Sequence, residues 1–194
     1  MRKKSHISLA KGIIHGLDMQ DRITHRLTFY IGSIWPDCTP SFLTKRHCIE
    51  DTYDVFMKKI RKFIIKFNHE KDMGILSTLR MGIITHYVAD YFTFPHNAHY
   101  TGSFKEHCIY EEELKHCMYK YVDGVRSDEP ACLVPVMKNL RQLSDFIREK
   151  HEEYKSIQGN CYSDCDYSYM ACISVVASVL NIAVKNSSKA LAFA

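Results

Sequence analysis

Apolar positions recur with a helical period along nearly the whole chain. Phe56, Ile60, Phe63, Ile64 and Phe67 fall at the i, i+4, i+7, i+8, i+11 spacing of one helix face, with Lys58, Lys59, Arg61, Lys62 and Lys66 on the other side. The same period runs from Ile75 to Phe92. It breaks at Phe94-Pro95, where a proline ring ends or kinks a helix at the residue before it. Ser103, with Glu106 three residues on, forms a capping box that opens a helix expected to reach about Tyr121. Asp123-Gly124 reads as its stop signal. A further helix is expected over Val136 to Tyr154, with Val136, Leu140, Leu143 and Ile147 inward, and a last one over Tyr167 to Lys185. Two short helices fit Ser5 to Gly16 and Arg22 to Ile31, and Gly32 to Pro40 reads as a loop. No run keeps the alternation of a strand, and there is no repeat or linker. The expected fold is all-α, a multi-helix bundle forming one domain over residues 1–194.

Composition narrows the class. The chain has 194 residues, 46% hydrophobic and 25% charged, ordinary values for a globular protein that exclude disorder, collagen-like repeats and coiled coil. A net charge of +4 is too mild to announce nucleic acid yet suits an anionic substrate. The basic start Met1-Arg2-Lys3-Lys4 resembles an export leader, but Lys11, His15 and Asp18 break the apolar run that should follow. The run Met170 to Val184 carries Ser174, Ser178 and Asn181 and is shorter than the roughly 20 residues that span a bilayer. It is expected as a buried central helix, so no transmembrane segment is expected. Without a leader, the eight cysteines are expected as reduced thiols in the cytoplasm.

The 11 histidines carry the chemistry. His86 and Asp90 lie four apart on a predicted helix, so both project from one face and can reach one cation. Gly82, one turn earlier on that face, leaves room for a metal or another backbone. His96 follows the proline break, and His107 and Glu111 repeat the i, i+4 pair on the next helix. The full pattern is His-x3-Asp-x5-His-x10-His-x3-Glu. A single such pair is commonly a surface ion pair; two pairs with a third histidine between them point to metal. Two helices joined by a short connection are expected to pack antiparallel and bring the pairs together. Imidazole and carboxylate without thiolate suit zinc with positions left open.

The run Thr85-His86-Tyr87-Val88-Ala89-Asp90, then Pro95-His96-Asn97-Ala98, then His107 and Tyr110-Glu111, resembles the core of bacterial zinc-dependent phospholipase C. Ser5-His6 at a helix start, and Trp35-Pro36-Asp37 followed by His47, resemble the family's upstream residues. The likeness covers roughly residues 5–115. It implies an all-helical domain in which Asp37, His47, His86 and Asp90 hold one zinc ion and His96, His107 and Glu111 a second. His6 and Asp90 would contribute to a third, with Asp90 bridging. Asp37 is further implied as general base, activating water for attack on a phospholipid-type phosphodiester. In secreted members an amino-terminal tryptophan supplies its amine and carbonyl to the third ion. Here His6 lies close behind Met1 and the only tryptophan is Trp35, so that site lacks two ligands unless the Met1 end substitutes.

Other residues have plainer readings. Cys38, Cys48 and Cys108 each follow a proposed ligand, but an adjacent helical residue points about 100° away, which fits small core side chains. Cys161, Cys165 and Cys172 lack a fourth ligand. His99, three residues after His96, is expected to line the cleft, with a ligand role as the alternative, and His15, His25, His69, His116 and His151 read as ordinary histidines. Tyr87, Tyr91, Phe92 and Tyr100 fit core packing as well as a substrate pocket. Lys58 to Lys66 reads as a solvated face, with peripheral contact to anionic lipid as the alternative. Two rival functions remain: a single-strand nuclease-like phosphodiesterase, against which the modest charge and lack of a basic stripe argue, and a metal-binding protein that lost turnover. No stable nucleic-acid partner is expected.

Overall fold

In the computed structural model the described residues are 1–19, 23–39, 47–67, 73–98, 100–127, 134–157 and 159–192. Among them are seven α-helices and no strand: α1 Lys3–Gly16, α2 Arg26–Ile34, α3 Ile49–Lys66, α4 Ile75–Tyr91, α5 Phe104–Ser127, α6 Leu140–Ser156 and α7 Cys161–Ala192. Short 3-10 turns at Pro36–Cys38 and Phe94–His96 follow α2 and α4. The all-α expectation holds. Buried apolar side chains from every helix join in one continuous core.

α4 and α7 lie at the centre. α4 packs against α2, α3 and α7, and α7 also packs against α5 and α6. α7 is long and apolar enough to cross a membrane by length and composition, but 67% of its most apolar stretch is buried in the fold. Cys165, Cys172, Val176 and Val179 pack inward there, as expected of a central helix. α3 buries Phe56, Ile60, Phe63 and Ile64, the stripe read from the sequence.

α2 and α4 meet at main-chain distance. A Cβ on Gly82 would stand 2.4 Å from the Phe29 carbonyl oxygen, and one on Gly32 would stand 2.4 Å from that of Leu79. The space beside Gly82 is therefore filled by another backbone rather than by a metal. This crossing also explains why α2 runs through Gly32 to Ile34, where a loop was expected: burial of the glycine against α4 outweighs its weak helix propensity.

Other ends differ for similar reasons. α5 passes through Asp123-Gly124 to Ser127, because Val122 is buried on its inner face and Gly124 meets open space. At roughly 1 kcal/mol, a helical glycine is outweighed by such packing. α6 starts at Leu140, not Val136, because the Asn139 side chain accepts a bond from the Gln142 amide as N-cap. α7 starts at Cys161, not Tyr167, because Asn160 Oδ1 accepts from the Tyr162 and Ser163 amides at 2.9 Å. The Ser103–Glu106 capping box forms as read, with both Ser103 N and Oγ 2.7 Å from Glu106 Oε2. Arg22 and Pro40 lie outside the described residues.

Candidate metal centre

Four residues from three parts of the chain converge on one point. His86 and Asp90 stand a turn apart on α4 and are fully buried, because α4 is covered on several sides. Asp37 enters from the 3-10 turn after α2, where Trp35-Pro36 begins a new turn, and His47 from the segment before α3. The α2–α4 crossing brings the Ser33 carbonyl within 2.9 Å of His86 Nδ1. Nδ1 donates to it, so Nε2 presents its lone pair to the cluster.

The donor spacing suits a cation. His86 Nε2 lies 3.0 Å from His47 Nδ1, 3.2 Å from Asp90 Oδ2 and 3.6 Å from Asp37 Oδ1. His47 Nδ1 lies 3.3 Å from the same Asp90 oxygen and 3.5 Å from the same Asp37 oxygen. Donors about 2.0–2.2 Å from a tetrahedral zinc ion stand about 3.3–3.6 Å apart. Two ring nitrogens facing each other beside two carboxylates suit an ion better than they suit one another.

Asp90 turns its second oxygen elsewhere. Oδ1 lies 3.3 Å from His6 Nε2 and 3.0 Å from the Met1 α-amino nitrogen. His6 Nε2 is buried, 4.0 Å from Asp37 Oδ2, and makes no well-directed hydrogen bond among the described residues. Such an atom suits a metal ligand. Burial pushes the His6 pKa down to about 4, and a second positive charge beside His86 would be repelled, so the ring is neutral at pH 7. Burial opposes the Asp90 charge, but the α-amino group above all outweighs it and holds the carboxyl well below its ordinary range.

A second group lies alongside. Glu111 Oε1 is 3.3 Å from His96 Nε2, 3.2 Å from His107 Nε2 and 2.9 Å from the Met1 nitrogen. It is more open than the first: the His107 side chain is 27% exposed against 1% for Asp90. Burial alone would raise the Glu111 pKa; bonds from His107, His96 and the α-amino group instead keep it ionised. The α-amino group, which burial would make less basic, is raised to about 10 by Asp90, Glu111 and Asp37. Arg2 seats this end of the chain on α5, donating to the Cys108 carbonyl at 3.2 Å and pairing with Glu112.

All eight residues picked from the sequence, His6, Asp37, His47, His86, Asp90, His96, His107 and Glu111, thus meet in two adjoining groups. The route differs from expectation: α5 packs chiefly on α1 and α7 rather than along α4. The two pairs meet through the Phe94–His96 turn and the Met1 end instead.

Sequence reasoning missed the supports of that turn. Asp164 on α7 is fully buried. Its Oδ2 accepts from the Phe94 amide and the Tyr110 hydroxyl, both at 2.9 Å, and Oδ1 from the Tyr154 hydroxyl at 2.5 Å. One carboxylate therefore ties the His96 turn to α5, next to Glu111. Burial pushes its pKa up to about 6 against the lowering effect of those bonds. Buried His151 bonds Asn97 Oδ1 at 2.7 Å, and Ser168 Oγ donates to the Phe92 carbonyl at 3.1 Å.

The remaining candidates behave as ordinary residues. Tyr91 and Phe92 are core, and Tyr91 bonds Thr52 at 3.0 Å. The seven described cysteines are free thiols. Cys48 is buried as expected, whereas Cys38 is exposed, because it ends the 3-10 turn on its outer side. His69 and His99 lie outside the described residues.

An all-helical bundle with a buried, carboxylate-rich histidine cluster and a more open one beside it offers the donor set of a metal site. The family model for zinc dependent phospholipase C matches residues 5–169. The chain belongs to that family, a zinc-dependent phospholipase C hydrolase family, and the match takes in α7 as far as Tyr169, well beyond the motif-bearing part. No curated protein and no solved structure matches the chain.

Proposed function

We propose that the protein is a zinc-dependent phosphodiester hydrolase acting on a phospholipid-type substrate. The observation that carries this is the pair of donor groups sharing one neighbourhood, with the first set at tetrahedral spacing. In this reading Asp37, His47, His86 and Asp90 hold one ion, and His96, His107 and Glu111 a second. His6 and Asp90 Oδ1 face a third position, together with the α-amino group where Met1 is the first residue of the chain. Bound zinc supplies water activation near neutral pH and positive charge for the non-bridging phosphate oxygens.

The chain's own groups do the rest. Asp37 is the general base: its Oδ1 faces His47 and His86, while Oδ2, 4.0 Å from His6 Nε2, is the oxygen left to take a proton from water. His86 is fixed by Ser33, and Asp164 fixes the turn bearing His96, so these donors are held in place before substrate arrives. Cleavage falls on the glycerol side of the phosphate.

The test is zinc content by plasma mass spectrometry together with turnover of a chromogenic choline phosphodiester and of single-stranded DNA. Two or three zinc ions per chain, with turnover of the choline ester alone, is the expected result. Turnover of DNA alone would make it a nuclease. Zinc without either activity would leave a metal-binding protein, and no zinc after incubation with the ion would end the enzyme reading.

A further inference from the structure

α2 buries Phe29, Gly32 and Ser33 against α4, yet its outer face is not polar. Leu27, Ile31 and Trp35 recur there at i, i+4 and i+8, and are 76%, 48% and 47% exposed. A surface helix normally turns charged or polar groups to water. Here three large apolar side chains lie in register along a face about 12 Å long. An aligned exposed stripe of this kind marks a contact surface, whereas single scattered apolar residues do not.

The stripe leads to the candidate site. Trp35 is followed directly by the Pro36–Cys38 turn, which carries Asp37 inward to His47 and His86. The charge of this segment does not oppose an anionic surface. From Ile23 to Thr39 the only carboxylate is Asp37, which is directed into the cluster. Lys3 and Lys4, both exposed, open α1 one turn before His6, and His6 Nε2 lies 4.0 Å from Asp37. Aliphatic and tryptophan side chains flanked by lysine are the composition of segments that lie in the headgroup region without spanning the bilayer.

We propose that the outer face of α2 is where the protein lies on a phospholipid surface. Leu27, Ile31 and Trp35 enter the boundary between headgroups and acyl chains, and Lys3 and Lys4 meet anionic headgroups. This places the Asp37 end of the cluster against the membrane. The inference deepens the phosphodiesterase reading and rests on it for the nature of the surface.

The chain carries its own reporter, since Trp35 is its only tryptophan. The zinc-loaded full chain is mixed with vesicles of phosphatidylcholine, alone or with phosphatidylserine, and binding is read by sedimentation and by Trp35 emission. The expected result is a blue shift, quenching by brominated acyl chains, and tighter binding to the anionic vesicles. Joint Leu27→Ser and Ile31→Ser substitution, at two exposed positions that leave the core intact, should weaken binding about tenfold, each side chain contributing a fraction of its full burial free energy. Lys3→Glu with Lys4→Glu should remove the preference for phosphatidylserine.

Unchanged Trp35 emission with no sedimentation overturns the proposal, and wild-type turnover of a soluble choline ester in the same sample shows that the phosphodiesterase reading survives it. Binding with quenching but no turnover supports the docking face and removes the phosphodiesterase reading. Full binding by the double serine variant overturns the assignment to α2. A blue shift that depends on protein concentration without lipid, with a dimer in the ultracentrifuge, assigns the stripe to a second copy and overturns the proposal.

Discussion

Asp164 is sealed among the Phe94 amide and the hydroxyls of Tyr110 and Tyr154, with burial raising its pKa to about 6. A carboxyl whose pKa is higher folded than unfolded keeps its proton longer in the folded state, so between those values folding takes up protons. Its contribution to stability is fully present below the ordinary 3.8 and is lost as pH rises to about 6. At about 1.4 kcal/mol per pH unit, the loss amounts to about 3 kcal/mol, with about half of it falling between pH 5 and 8. Asp164→Asn isolates this effect. The amide can still accept from Phe94 and Tyr110, and its NH2 can donate to the Tyr154 hydroxyl, so the bonds largely survive while the titration vanishes. Urea unfolding of both proteins from pH 5 to 8, followed by far-ultraviolet circular dichroism at fixed zinc, gives the difference directly. The wild type should lose about 1.5 kcal/mol relative to Asp164→Asn over that range. A flat difference, or one that grows in favour of the wild type as pH rises, would refute the reasoning. Asp164→Ala is the contrasting variant. It strands three buried donors, at roughly 1–3 kcal/mol each, and loosens the turn bearing His96. It should lower both stability and the zinc content of the more open group.

Other expected outcomes follow from the same geometry. Gly82→Ala forces a methyl against the Phe29 carbonyl and the backbone of Gly32 and Ser33, so it should destabilise by about 3 kcal/mol and cut zinc content, read by unfolding and mass spectrometry. His6 has a lowered pKa, so its share of stability is present above the ordinary 6.5 and is lost as pH falls towards about 4; comparison with His6→Gln across that window should show a difference of about 3 kcal/mol. His86→Ala should remove zinc from the buried group while leaving helix content unchanged by circular dichroism, and equal zinc content in variant and wild type would count against the assignment. Chelation should lower the melting temperature, zinc should restore it, and Glu111→Ala should show a smaller restoration.

The metal cluster was legible to the extent that its ligands follow local rules. His86 with Asp90, and His107 with Glu111, are visible because a helix brings i and i+4 together whatever surrounds it. Asp37 and His47 have no such spacing and were reached only through resemblance. Asp164 was not visible at all: it sits far along the chain from Glu111, in no pattern with it, and its role exists only because α7 crosses behind the His96 turn. Helix interiors were legible from periodicity. Their ends were not, because Asn139 and Asn160 act through single capping bonds, and because packing around Val122 carries α5 past Asp123-Gly124.

The glycine crossing of α2 and α4 has a mechanical meaning. Where helices touch through side chains, rotamer changes can absorb small displacements; where they touch through main chain, nothing is available to give. α2 and α4 should therefore move as one stiff strut, with the Ser33 carbonyl and the His86 ring riding on it together. Small relative motions fall to other joints of the bundle, and the geometry of the histidine at the cluster's centre is insulated from them.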